Sequence, residues 1–182
     1  MMLHTGRREL SLRPVCFHEE NTQHEFHRGE EIMSSKADVD AFFTSPAYAV
    51  VGVSADRKKF GNTVFRTMKE KGFTVYPVHP TQETVEGERC YKDVGSLPAE
   101  VASIVTVVPP QVTKLVVEDA LAKGVKHFWM QPGSNSSAAA QAARAAGASV
   151  VDGDCILMFL EPVQSVHKVH RFVNKVFGKL PK

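Results

Sequence analysis

Five short apolar runs, at residues 47–53, 73–78, 103–108, 126–130 and from 150 on, alternate with stretches of helical apolar period closed by glycine. Runs of four to eight residues rich in β-branched and aromatic side chains, bounded by turn residues, read as buried strands. Strands joined by helices cannot pair as tight hairpins. Each needs a crossover, crossovers are right-handed, and the resulting sheet is parallel and covered on both faces. The predicted fold is therefore α/β: a doubly wound, mostly parallel, Rossmann-like sheet in a three-layer αβα arrangement.

Local signals set the expected boundaries. Ser35-x-x-Asp38 has the form of a capping box ahead of Val39, Phe42 and Phe43, and Pro46 stops that short helix. Asn62 is expected to cap the next helix, whose Val64, Phe65 and Met68 share a face and whose end falls at Gly72. Pro109-Pro110 turns the chain into a helix over 111–123, with Val112, Leu115, Val116 and Ala120 on one side and Gly124 behind it. Gln131-Pro132-Gly133 does the same for an alanine-rich helix over 136–146. Beyond the last strand, Val163, Val166, Val169, Val173 and Val176 form an apolar seam, with Lys168, Arg171, Lys175 and Lys179 elsewhere around the helix. That seam either packs on the sheet or meets a second copy or a protein partner.

The 182 residues fit one domain with a tail. Residues 1–32 hold four of the eight histidines and no periodic apolar pattern, and they read as a disordered segment. Their four arginines against six glutamates give −2, which leaves +4 on residues 33–182, the expected folded domain. Those acids argue against a mitochondrial presequence, and no apolar run reaches the roughly 18 residues that would span a membrane. A net charge of +2 does not point to nucleic acid or a membrane surface. Cys16, Cys90 and Cys155 lack the spacing of a zinc site or a disulfide framework, and a reducing, cytoplasmic setting fits them. Met33-Ser34-Ser35-Lys36 reads as a candidate alternative translation start.

In an open α/β sheet, ligands bind beyond the carboxyl ends of the strands where strand order reverses. Gly52-x-Ser54, followed by Gly61-Asn62-Thr63, offers a tight turn, a hydroxyl and free amides at a helix N-terminus, a setting for phosphate. Arg57, Lys58 and Lys59 put three positive charges in the same loop. The dinucleotide fingerprint G-x-G-x-x-G is absent, because Ser54 stands at the second glycine. The second strand ends in Tyr76-Pro77-Val78-His79-Pro80, with no acid to accept from a ribose 2′-hydroxyl, so the NAD reading is weakened.

Across residues 47–156 the chain resembles the stand-alone CoA-binding domain family, related to the N-terminal domain of the succinyl-CoA synthetase α subunit. The matching pieces are AVVGVSADRKKFGNTV, VYPVHPTQETVEGERCY, SLP, VVPP, FWMQPG and VVDGDCIL, in that order. The resemblance implies a Rossmann-like fold that binds coenzyme A or acyl-CoA. By position it implies that Gly52, Val53 and Ser54 line the phosphate turn and that Lys58 and Asn62 face phosphates or ribose. It likewise implies that Val78, His79 and Pro80 border the adenosine portion and that Val108 and Pro109 flank the chain of the ligand. Many members have Asn where this chain has His79, whose imidazole makes a pH-dependent contribution conceivable. A CoA ligand charge near about −4 would account for a three-cation loop.

No catalytic residue is nominated. The related synthetases use a phosphorylated histidine on a second domain and a partner subunit, and this chain has room for neither. Nucleophile elbow, H-E-x-x-H pair and Walker loop are all absent. The expected function is a CoA or acyl-CoA binding protein without its own catalytic machinery. Two alternatives stay open: an NAD(P)-dependent oxidoreductase or redox sensor on the same fold, and a ligand-free scaffold that binds a partner through its C-terminal helix.

Overall fold

The computed structural model describes residues 34–160. The expected tail over 1–32 and the expected C-terminal helix therefore lie outside the described residues. Within them run α1 (Lys36–Phe42), β1 (Ala47–Val51), α2 (Phe60–Glu70), β2 (Val75–Val78), β3 (Thr84–Val85) and β4 (Glu88–Arg89). The chain continues through β5 (Val101–Thr106), α3 (Pro110–Ala122), β6 (His127–Met130), α4 (Ser137–Ala145) and β7 (Ser149–Asp152), then a short 3₁₀ turn at Ile156–Met158.

Five strands form one sheet in the order β2-β1-β5-β6-β7, and every neighbouring pair is parallel. The chain leaves β1 for β2 on one side, then crosses back to β5 on the other. Strand order thus reverses between β1 and β5, and the crevice beyond their carboxyl ends is the natural ligand position.

Alternation sorts the core into two layers. Ala47, Ala49 and Val51 of β1 face the layer of Val117, Ala120, Ala139, Ala140 and Ala143 from α3 and α4. Tyr48 and Val50 face the other way, toward Phe42, Phe65, Met68 and Trp129. Small residues on one side let the alanine-rich α4 approach the sheet closely, and the aromatic side is filled by α1 and α2. The capping box forms as expected: Ser35 Oγ accepts from Asp38 N–H at 3.1 Å, and Asp38 Oδ2 accepts from Ser35 N–H at 3.0 Å. Pro110 occupies the first turn of α3, where a missing N–H costs nothing.

Three expectations need correction. Strand β1 ends at Val51 and β5 at Thr106, so Gly52–Val53 and Val107–Val108 belong to the loops. Asn62 does not cap α2: the helix begins at Phe60, with Lys59 at the N-cap and no side-chain cap. The antiparallel pair β3–β4, in which Thr84 faces Arg89 and Val85 faces Glu88, has no counterpart in the sequence reading. It folds back beside β2, where Tyr91 N–H donates to Pro77 O and His79 N–H donates to Tyr91 O, each at 2.9 Å.

Candidate functional site at the strand-order reversal

The loops after β1, β2 and β5 are laced together by backbone hydrogen bonds. Gly52 N–H donates to Val78 O at 3.2 Å, and Val107 N–H donates to Val51 O at 2.8 Å. Gly52 has φ +105°, and a Cβ there would overlap the Val107 carbonyl oxygen and sit 2.9 Å from Val108 Cγ1. Gly61, in the first turn of α2, lies against the turn so closely that a Cβ would overlap Gly52 O and come within 2.8 Å of Gly52 C. These two glycines bring the start of α2 onto the β1 turn. The helix then presents uncapped N–H groups and the positive end of its dipole where the strand order reverses.

Most of the sequence-predicted residues are brought together here. Gly52, Val53 and Ser54 form the turn. Val53 is itself buried, so it contributes backbone rather than side chain. Val108 packs against Gly52, and Pro109 is the exposed N-cap of α3. Val78 is buried at the end of β2, and His79 follows it with its Nδ1 accepting from Thr81 N–H at 3.2 Å. Pro80 lines a cleft of about 600 Å³ with Gln82, Arg89, Tyr91 and Lys92. Lys58 is exposed on the loop, and its N–H donates to Asp56 Oδ1 at 3.0 Å.

Asn62 has a different place from the one expected. It is fully buried, and its amide clasps the turn: Oδ1 accepts from Ser54 N–H at 2.8 Å, and Nδ2 donates to Ser54 O at 2.7 Å and to Glu86 Oε1 at 3.0 Å. Both amide hydrogens and the oxygen are engaged, so the side chain faces inward rather than toward a phosphate. Arg57 also departs from the three-cation picture. Its guanidinium pairs with Glu86, at 3.0 Å from Nε and 2.9 Å from Nη2, and leaves Lys58 and Lys59 as the unpaired cations of this loop among the described residues.

Two further polar side chains stand at the strand ends. Gln131 and Thr106 are fully buried, and neither the Gln131 amide nor the Thr106 hydroxyl has a hydrogen-bond partner among the described residues. Gln131 N–H donates to Thr106 O at 3.1 Å, which fixes the two side by side at the carboxyl ends of β5 and β6. Unpartnered groups of this kind cost about 1–3 kcal/mol each and mark places worth testing by substitution. The sequence signal for Gln131 was its position directly after a strand in FWMQPG.

Asp152 closes β7, and Asp154 follows it on the rim. Burial, and then the neighbouring Asp152 charge, push Asp154 up to about 6. Between about pH 4 and pH 6 the folded protein keeps a proton that the unfolded chain has released, so stability falls as pH rises through that window. Asp154→Asn should flatten this slope and raise stability at pH 7 by about 1–2 kcal/mol, the full linkage value being reduced by solvent screening. Urea melts at pH 4 and pH 7 check it; an unchanged difference between the two pH values would refute the assignment. Burial also raises the Cys90 and Cys155 thiols, which disfavours their thiolates. Among the described residues no three His, Cys, Asp or Glu side chains group as metal ligands, and no helix is long and apolar enough to cross a membrane.

Known proteins resemble the chain in sequence and fold. Over 89 residues the chain is 42% identical to the α subunit of the ADP-forming acetate–CoA ligase II of Pyrococcus furiosus, a match covering 48% of this chain and 20% of that one. The chain thus spans about a fifth of that relative's length. A conserved hypothetical protein from Pyrococcus furiosus superposes with a TM-score of 0.58 at 39% identity, covering 60% of this chain and 95% of that one. A hypothetical protein from Pyrococcus horikoshii superposes with a TM-score of 0.64 at 30% identity, covering 68% and 87%. The parallel sheet, the turn at its reversal point and the match of residues 46–161 to the family model described as CoA binding domain lead to one conclusion: the chain belongs to the CoA-binding domain family.

Proposed function

We propose that this protein is a cytoplasmic CoA or acyl-CoA binder that carries no catalytic machinery of its own. The observation that carries the reading is the Gly52–Ser54 turn held against an uncapped helix N-terminus, with Lys58 and Lys59 exposed beside it. Such an end binds anions, and two added cations suit a ligand with a pyrophosphate and a further phosphate. The related ligase subunit carries CoA in its name, which supports the same ligand. The absence of an acid at the Val78-His79-Pro80 end of β2 speaks for CoA over NAD.

Calorimetric titration with CoA, dephospho-CoA and NAD tests it. CoA should bind more tightly than dephospho-CoA, and NAD more weakly than either. Equal binding of the first two removes the role of the extra phosphate, and tighter NAD(P)H binding would move the protein to the oxidoreductase reading. Lys58→Ala should weaken CoA binding by about 1–3 kcal/mol, as for one charge-assisted contact to phosphate. An unchanged affinity with no salt dependence would remove Lys58 from the site.

A further inference from the structure

The hairpin β3–β4 meets the phosphate turn through one carboxylate. Glu86 sits at the hairpin tip with φ +52°, the sole non-glycine with positive φ among the described residues, and its side chain is 4% exposed. A side chain in that backbone region and a covered carboxylate are both unfavourable, and such features persist where surrounding bonds over-determine them. Here there are three partners. Glu86 Oε1 accepts from Arg66 Nη1 at 2.6 Å and from Asn62 Nδ2 at 3.0 Å, while Oε2 accepts from Arg57 Nε at 3.0 Å. Arg66 Nη1 also donates to Arg57 O at 3.1 Å and so pins the loop backbone. The Asn62 amide first, and then both guanidinium groups, hold the Glu86 carboxyl below the usual carboxylate range despite its desolvation. Asn62 in turn grips both backbone polar groups of Ser54.

We propose that Glu86 is the positioning and specificity-determining residue of the phosphate turn. Through Asn62 it fixes the Ser54 backbone, and by holding Arg57 it leaves Lys58 and Lys59 as the cations that meet an anionic ligand. The proposal rests on the CoA reading for its ligand, while its structural half stands without one. A guanidinium paired at both Nε and Nη2 has its planar fork occupied, and a phosphate must compete with a carboxylate already in place to recruit it. The number of cations offered to the ligand is therefore set by the hairpin rather than by the loop sequence.

Five variants test this in the full chain. Arg57→Ala changes a side chain that is 75% exposed and should lower CoA affinity less than about 3-fold, against about 5-fold or more for Lys58→Ala. Glu86→Gln keeps an oxygen for Asn62 but gives up the charge. It should release Arg57, raise CoA affinity at low salt about 3- to 10-fold and steepen the salt dependence. Adding Arg57→Ala to Glu86→Gln should abolish that gain. The ligand-free readout is hydrogen exchange at the Ser54 amide, which Glu86→Ala should accelerate about 10-fold or more as the Asn62 clasp loosens. A loss of 10-fold or more for Arg57→Ala alone, or Glu86→Gln with affinity and salt slope unchanged, overturns the withholding of Arg57. Unchanged Ser54 exchange overturns the positioning role. If no variant binds CoA while Ser54 exchange responds, the CoA reading fails and the positioning role stands.

Discussion

Gly61→Ala is expected to destabilise the protein by about 2–4 kcal/mol, although helix propensity alone would favour alanine by about 1 kcal/mol. The added Cβ meets backbone rather than a yielding side chain: it overlaps Gly52 O, sits 2.8 Å from Gly52 C and lies 3.2 Å from Val53 N. Relief requires α2 to lift from the end of β1, which separates the helix N-terminus from the turn. Stability and CoA affinity should therefore fall together. Gly124→Ala is the comparison, because nothing lies within 4 Å of its added Cβ and only the φ of +88° opposes it. Its expected cost is about 1–2 kcal/mol with no change in binding. Denaturant melts monitored by circular dichroism decide the matter, and a Gly61→Ala protein at least as stable as the parent would refute the close approach.

Trp129→Ala should cost about 3–5 kcal/mol, the range for removing a large buried aromatic. The indole is fully buried on the aromatic face of the sheet, with ring centroids 5.2 Å from Phe42, 5.7 Å from Phe43 and 5.1 Å from Phe159. Its Nε1–H donates to Asp154 O at 2.7 Å, so truncation opens a cavity and also deprives a carbonyl of its partner. Trp129→Phe keeps part of the volume and loses the bond, and should cost about 1–2 kcal/mol. Trp129 is the chain's single tryptophan, so its fluorescence reports this cluster in the parent, while the variants must be followed by far-ultraviolet circular dichroism. A Trp129→Ala cost below 1 kcal/mol would mean that the cluster does not hold α1 to the sheet. An aromatic pair at a strand end also has a functional reading, stacking on adenine; Phe128 and Trp129 are both fully buried, which assigns them to packing.

Local pattern carried the architecture. Each strand of the parallel sheet left a short apolar run and its helices a pattern closed by glycine or proline, and such signals need only neighbours a few residues apart. The capping box at Ser35 and Asp38 was legible for the same reason, since both its bonds span three residues. The turn at Gly52 and Ser54 was legible as a turn at the end of the first strand, and the family motifs were legible as those of the CoA-binding domain family.

The hairpin was not legible. Two-residue strands leave no periodicity, and the turn that joins them uses Glu86-Gly87 with both φ values positive, where the usual signal is Asn-Gly or Asp-Gly. Asn62 read as a helix cap because that residue type at a helix start commonly is one. Its side chain instead reaches back eight residues to Ser54, a choice made by the approach of the β1 turn and not by the helix. Charge counting likewise gave three cations to the loop, whereas Glu86, 29 residues beyond Arg57, takes one of them. The sequence by itself thus determined which segments become the strands and helices of the parallel sheet and which turn is proposed to hold an anion, because those follow from short-range periodicity and backbone chemistry. The tertiary structure alone decided which side chains remain free to meet that anion, because an ion pair closes between groups distant in sequence only once the sheet has brought them together.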